Sequence, residues 1–278
     1  MLVRAPLATL TAIVAFVPMR GPQPIALRVP IPDLVELRPG AFPYRASGDF
    51  TRDGEPAQPP IVTAAITRPL AVMRHQVTEA DYRRCTDVGV CPVVDQAAAA
   101  IDRPVVKVSW RDAHLYATWL SGETGAHFRL PIDEEWAHAA AGRFADDGLP
   151  DTAYGTDPGQ RALALYAVET SRNAGIDRKP QPIGTFGTNE NGLVDVAGNV
   201  WEWTDTCFVR SALDGHGKAA ATIVNCGVRV VEGRHRAYLP DFVRDPHNGG
   251  CSFGMLPSNL GFRLVRDDDW WWKMRRLL

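Results

Sequence analysis

The stretch DVAGNVWEWTD, residues 195–205, sets two carboxylates, Asp195 and Glu202, on either side of a bend at Gly198, and places the glutamate between Trp201 and Trp203. Such a loop can turn backbone carbonyls inward at alternate residues, so its donors are all oxygen. Oxygen-only sets suit Ca²⁺, which takes about six to eight ligands at flexible geometry and accepts backbone carbonyls, whereas Zn²⁺ takes His or Cys, and the stretch contains neither. The same residues also fit a reading without an ion. In that reading a turn leads into a strand, with Trp201 and Trp203 on one face and Val200 and Glu202 on the other. Spacing alone leaves both open.

Three helices that could position this stretch are written in local capping chemistry. In TEADYRRC, Thr78 can accept from the amide of Asp81 while Asp81 reaches back, and in SWRDAHLYATWLSGETG, Ser109 and Asp112 repeat that box. Trp110, Ala113, Ala117 and Leu120 form the inner stripe of the second helix, Gly122 or Gly125 ends it, and His114 is read as a packing or surface residue. A third helix runs through DEEWAHAAAG and stops at Gly142; Ile132 at its N-cap has no oxygen to accept an amide, a deficit of about 1 kcal/mol unless Asp133 takes over. Beyond Gly142 the chain is rich in Gly, Pro, Asn and Asp with only brief apolar runs, which predicts little regular structure and a need for staples.

With 278 residues, 45% of them hydrophobic, the chain can bury a sizeable core. Its 30 basic and 32 acidic residues leave a charge of −2, too little field to draw in a nucleic acid backbone. Residues 1–24 combine Arg4 with an apolar run of roughly 15 residues, the layout of a signal peptide or uncleaved signal anchor, and this implies export. Two of the cysteine pairings expected in an oxidising compartment are Cys85 with Cys91, across a glycine, and Cys207 with Cys226, across a Gly/Ala-rich loop. The second would stabilise the fold by about 3 kcal/mol in the chain-entropy picture. Cys251 is then left over. A redox or metal role for Cys85 and Cys91 is disfavoured, because no second Cys/His pair sits at ligand spacing.

PVVKVSWRDAHLYATWLSGETGAHFRLPIDEEWAHAAAG, NENGLVDVAGNVWEWTD, RVVEG and SNLGFRLVRD, in that order, resemble the successive signature blocks of the sulfatase-modifying-factor family. This resemblance covers residues 34–267 and implies the formylglycine-generating-enzyme fold, an α+β, loop-rich variant of the C-type-lectin arrangement with little regular secondary structure. It also implies a structural Ca²⁺ held by Asp195, Gly198, Val200 and Glu202. The family's second ion site falls near residues 173–180, where no matching pattern of donors occurs.

Formylglycine-generating enzymes bind copper through a cysteine pair and use oxygen to oxidise a cysteine of a client sulfatase. Counted from Gly233, Tyr238 and Val243 stand at the two cysteine positions, and Arg234 and His235 replace the usual glycine and serine. A phenol and an isopropyl group cannot supply the two thiolates of a copper(I) site. His235, Tyr238, Asp241, Asp245, His247 and Cys251 are dense enough to offer another metal, base or thiolate; the alternative is that Arg234, Arg236, Arg244, Asp241 and Asp245 pair with one another on a loop surface. The iron-binding branch is disfavoured, since the Pro-rich start lacks a His-rich bundle.

The expected function is therefore an accessory or maturation factor for another exported enzyme. CGVRVVEGRHRAY and GGCSFGMLPSNLGFRLVRD most resemble the branch found beside copper nitrite reductases. Trp201, Arg234, Arg236 and Arg244 would grip a client protein. The rivals are a metal-dependent oxidase with copper or iron at His235, Tyr238 or Cys251, and a lectin-like ligand-binding module. Residues 268–278, DDWWWKMRRLL, carry three tryptophans beside basic residues and suit a membrane surface or a partner groove, or else a fold-back onto the domain's own apolar surface.

Overall fold

Both capping boxes form. Thr78 accepts from the amide of Asp81 at 3.1 Å and opens α1; Ser109 accepts from Asp112 at 3.2 Å, opens α2, and receives the Asp112 carboxylate on its own amide at 2.9 Å. Gly125, in the left-handed region at φ 72°, closes α2 with its amide on the carbonyl of Ser121. The computed structural model describes residues 29–94, 102–149, 157–173, 179–246 and 259–267. The leader, the tail, His247 and Cys251 lie outside them.

In chain order the elements are β1 (Leu34–Leu37), β2 (Gly40–Arg45), β3 (Asp49–Arg52), β4 (Glu55–Ala57), β5 (Ile61–Ile66), β6 (Leu70–Met73), α1 (Glu79–Asp87), α2 (Trp110–Thr124), β7 (His127–Arg129), α3 (Asp133–Ala140) and α4 (Pro158–Asn173). They continue with β8 (Trp201–Leu213), β9 (Ala219–Glu232), β10 (Ala237–Pro240), β11 (Leu260–Gly261) and β12 (Val265–Asp267). One sheet has the order β1-β6-β12-β7, a second has β10-β9-β8-β3-β4 with β11 parallel to β8, and β2 pairs with β5. This is the α+β architecture expected. The main core lies where α1 and α2 meet the inner half of β8: Tyr82 stacks on Tyr116 at 5.7 Å, and both approach Phe262 edge-on. Trp203, fully buried, anchors there through its indole N–H on the carbonyl of Val108 at 2.8 Å.

The expectation of little regular structure beyond Gly142 fails. Residues 158–173 form a helix, and the supposed Gly/Ala-rich loop between Cys207 and Cys226 is the outer half of a long β8–β9 hairpin. Its turn is an Asx turn: Asp214 Oδ1 accepts from the amides of His216 and Lys218 at 2.8 and 2.9 Å. The first nine residues of β9 are exposed, so no alternation of apolar and polar residues marks that half, and three register shifts interrupt the ladder. Both predicted disulfides are present, Cys85–Cys91 in the core and Cys207–Cys226 across the hairpin.

Candidate functional site

The glutamate between the tryptophans lies at the inner end of β8, fully buried, opposite Glu232 of β9. Two acidic side chains facing each other across a ladder repel unless each is satisfied, and each has its own arginine.

Glu202 pairs with Arg263, also fully buried: Nε donates to Oε2 at 2.6 Å and Nη2 to Oε1 at 2.8 Å. Gln76 Nε2 donates to Oε1 and Trp136 Nε1 to Oε2, both at 2.8 Å, so the four acceptor positions of the carboxylate are filled. The remaining Arg263 donors reach the carbonyls of Met73, Arg74 and Val194, each at 3.2 Å. Asp195 turns both its oxygens to backbone amides, Gly184 at 2.6 Å and Phe186 at 2.7 Å, from a left-handed conformation of φ 57°. Gly198 is required by close approach, since a Cβ there would stand 2.7 Å from the Cβ of Phe186.

The donor set does not fit a calcium ion. At Glu202 the guanidinium of Arg263 already takes the cation's place, and a Ca²⁺ would have to displace it. Glu202, Arg263, Gln76 and Asp195 form a knot that ties the end of β6, β8, the 184–198 loop and the segment before β12. A lectin-like site, which needs an ion open to sugar hydroxyls, does not fit this closed knot either.

The second arginine, Arg236, is 2% exposed and lies among three carboxylates. Its Nε donates to Glu232 Oε1 at 2.9 Å, Nη2 stands 3.0 Å from Asp133 Oδ2, and Nη1 reaches Asp147 Oδ1 and the carbonyl of Arg45, each at 3.0 Å. Tyr44, below the guanidinium, donates its hydroxyl to Asp133 Oδ2. Tyr238 donates to Asp147 Oδ2 at 2.5 Å and accepts from the amide of Gly48 at 2.8 Å.

Three carboxylates around one cation leave too much buried negative charge. Glu232 Oε2 and Asp133 Oδ1 meet no donor while both groups are ionised. Burial, then the charge of Asp133, pushes Glu232 well above the ordinary carboxylate range, and Arg236 reverses only part of this. The protonated form of Glu232, which can donate to Asp133, is therefore favoured. Burial also raises the phenol of Tyr238, reinforced by Asp147, so that it stays neutral.

The proposed gripping residues do not line one groove. Trp201 is 3% exposed with its indole N–H on the carbonyl of His235, Arg236 is consumed by its carboxylates, and only Arg234 and Arg244 are exposed. Arg244 makes a two-pronged contact with Asp112 at 2.7 and 2.9 Å. Burial works to raise Asp112, but that fork and Ser109 outweigh it and hold the carboxyl low. Arg111 makes a like two-pronged contact with Asp241, at 3.1 Å. Arg236, Arg244 and Asp241 thus pair with distant elements, not with one another. His235 is 6% exposed, edge-on to Trp201, with Nδ1 2.8 Å from the carbonyl of Arg236. Val243 is buried. Among the described residues, no group of three or more His, Cys, Asp or Glu side chains is arranged to hold a metal ion.

Asp147, Tyr44 and Gln76 were not singled out in the sequence, and no local pattern marks them. Arg263 stands in the GFR block and Glu232 in the RVVEG block, and that is the signal that could have drawn attention to them.

Residues 22–268 match the family described as Sulfatase-modifying factor enzyme 1-like domain. The formylglycine-generating enzyme of Streptomyces coelicolor is 32% identical over 187 residues, covering 60% of this chain and 54% of that protein. That of Bos taurus is 35% identical over 181 residues, covering 60% and 44%. An inactive C-alpha-formylglycine-generating enzyme 2 of Bos taurus is 32% identical over 108 residues, covering 37% and 33%. The matched part thus spans about half of these relatives' length or less. PvdO from Pseudomonas aeruginosa shares the fold, with a TM-score of 0.53 at 22% identity over 85% of this chain and 94% of that one. The chain belongs to the sulfatase-modifying factor enzyme 1-like family.

Proposed function

We propose that this chain is an exported accessory protein of its family, without the oxidase chemistry, that assists the maturation of another exported enzyme. One observation carries the reading. Where the oxidases have two copper-binding cysteines, this chain has Tyr238, held between Asp147 and the Gly48 amide, and buried Val243. Neither side chain can deliver a thiolate to copper(I). The relative named as inactive supports the idea that the fold is kept without the reaction, and two disulfides support an oxidising compartment. The likeness to the branch beside copper nitrite reductases makes a copper enzyme the first client to test.

The decisive experiment has two arms. The purified chain, given copper, oxygen and a cysteine-containing sulfatase peptide, is expected to form no aldehyde. Deleting the chain from its host is expected to lower the activity and copper content of the client, with recovery on re-expression. Aldehyde formation, or a client unaffected by the deletion, would overturn the proposal.

A further inference from the structure

Cys226 is exposed at the surface of β9, while its disulfide partner Cys207 is half-buried on β8. Beside Cys207 stands Arg229, whose Nη1 donates toward Sγ at 3.3 Å. That guanidinium lies 3.9 Å over the indole of Trp110, its side chain is only 11% exposed, and its Nε is buried without an acceptor. Nη1 also reaches the carbonyl of Asp205 at 2.8 Å and its carboxylate at 3.4 Å. The facing charges are Asp205 and Asp241, with His114 3.7 Å from Asp205 and Arg111 paired to Asp241. Nη1, the nitrogen that meets the sulfur, is thus shared with Asp205, and the largely buried guanidinium brings its positive charge into contact with Cys207 Sγ.

A disulfide opens when a thiolate attacks one sulfur and the other leaves, and it opens faster when the leaving thiolate is stabilised. A guanidinium in contact lowers a thiol's pKa. The attacked sulfur must be reachable, and Cys226 is exposed, with Ile223 and Val224, 70% and 60% exposed, just before it on the same strand. Cys85–Cys91, by contrast, is 0% and 5% exposed in the core.

We propose that Cys207–Cys226 is a thiol–disulfide exchange site for a dithiol carried by a peptide or protein, in which Cys226 is attacked and Arg229 holds the departing Cys207 thiolate. A thiolate of the substrate bonds to Cys226 Sγ as the Cys207–Cys226 bond breaks, and the electron pair goes to Cys207. The second substrate thiol gives its proton to solvent and attacks the mixed disulfide, expelling Cys226. The substrate is oxidised by two electrons to a disulfide, the chain is reduced to two thiols, and one turnover needs no other oxidant. The inference goes beyond the accessory reading and does not depend on it, since its test uses no client of that reading.

The test uses the full chain with Cys251→Ser, to remove the fifth thiol. A reduced Cys-x-x-Cys peptide is titrated in, followed by alkylation and peptide mass mapping. Cys207–Cys226 is expected to open at a dithiol concentration at least about tenfold below that needed for Cys85–Cys91. A monothiol peptide is expected to form its adduct on Cys226. With Cys226→Ser added, alkylation of Cys207 against pH is expected to show a midpoint well below the ordinary thiol value of about 8.5. That midpoint should rise in Arg229→Gln and be largely restored in Arg229→Lys, with circular dichroism confirming that each variant folds. Equal opening of the two disulfides, an adduct on Cys207, or a Cys207 profile indifferent to residue 229 would each overturn the proposal.

Discussion

Burial, with Asp133 beside it and one cation shared among three carboxylates, favours the protonated form of Glu232, and this gives the residue a measurable signature. A carboxyl whose pKa is raised by folding stays protonated in the folded chain at pH values where the unfolded chain has lost its proton. Its contribution is full below the unfolded value, 4.5, and declines as pH rises toward the folded value. In Glu232→Gln the amide can donate to Asp133 without titrating. The melting temperature of this variant relative to wild type is therefore expected to increase as pH is raised from 5 to 8. A difference that stays constant across that range would show that Glu232 is ionised in the fold. Of the residues in this cluster, Tyr238 was legible as a substitution at a family position, and Asp133 as a helix start. Their joint role was not, because Asp147, Arg236 and Tyr44 meet only through contacts spanning about ninety residues or more of chain.

At the scale of elements, α3 shows how a local deficit is met from far away. Ile132 has no capping oxygen, as its side chain dictates, but two other groups serve the helix start: Glu135 Oε2 accepts from the Ile132 amide at 2.9 Å, and Thr206 Oγ1 of β8 accepts from the Asp133 amide at 2.8 Å. Asp133 does not take over the cap, since its carboxylate is engaged by Arg236 and Tyr44. Thr206→Ala is expected to destabilise the protein by about 1 kcal/mol, and Thr206→Ser to restore most of it, in urea unfolding. An alanine variant as stable as wild type would remove Thr206 from the cap. The boxes of α1 and α2 were readable because both partners lie within one turn. The β8–β9 hairpin was not, because its outer half has no buried face to impose a period of two, and its turn residues resemble those of any loop.

For the molecule as a whole, the knot at Glu202 and Arg263 does what a bound ion was expected to do. Removing one member of a buried pair typically costs about 3–5 kcal/mol, and Arg263→Lys, which cannot replace the five donors, is expected to lose that much in denaturant unfolding. A loss under about 1 kcal/mol would show the pair to be dispensable. If the scaffold depended on Ca²⁺, an ion at a hundred times its Kd would add about 2.7 kcal/mol, worth roughly 5–10 °C in Tm. Titrating calcium into chelator-treated protein is expected to leave Tm unchanged, and a rise of that size would return the ion to the site. The setting of Tyr238 bears on exchange at that position as well. A cysteine there would strip Asp147 of its phenol and leave the Gly48 amide facing a poorer acceptor. Tyr238, Asp147 and Gly48 therefore behave as one unit, in which swapping the first member alone unsettles the other two.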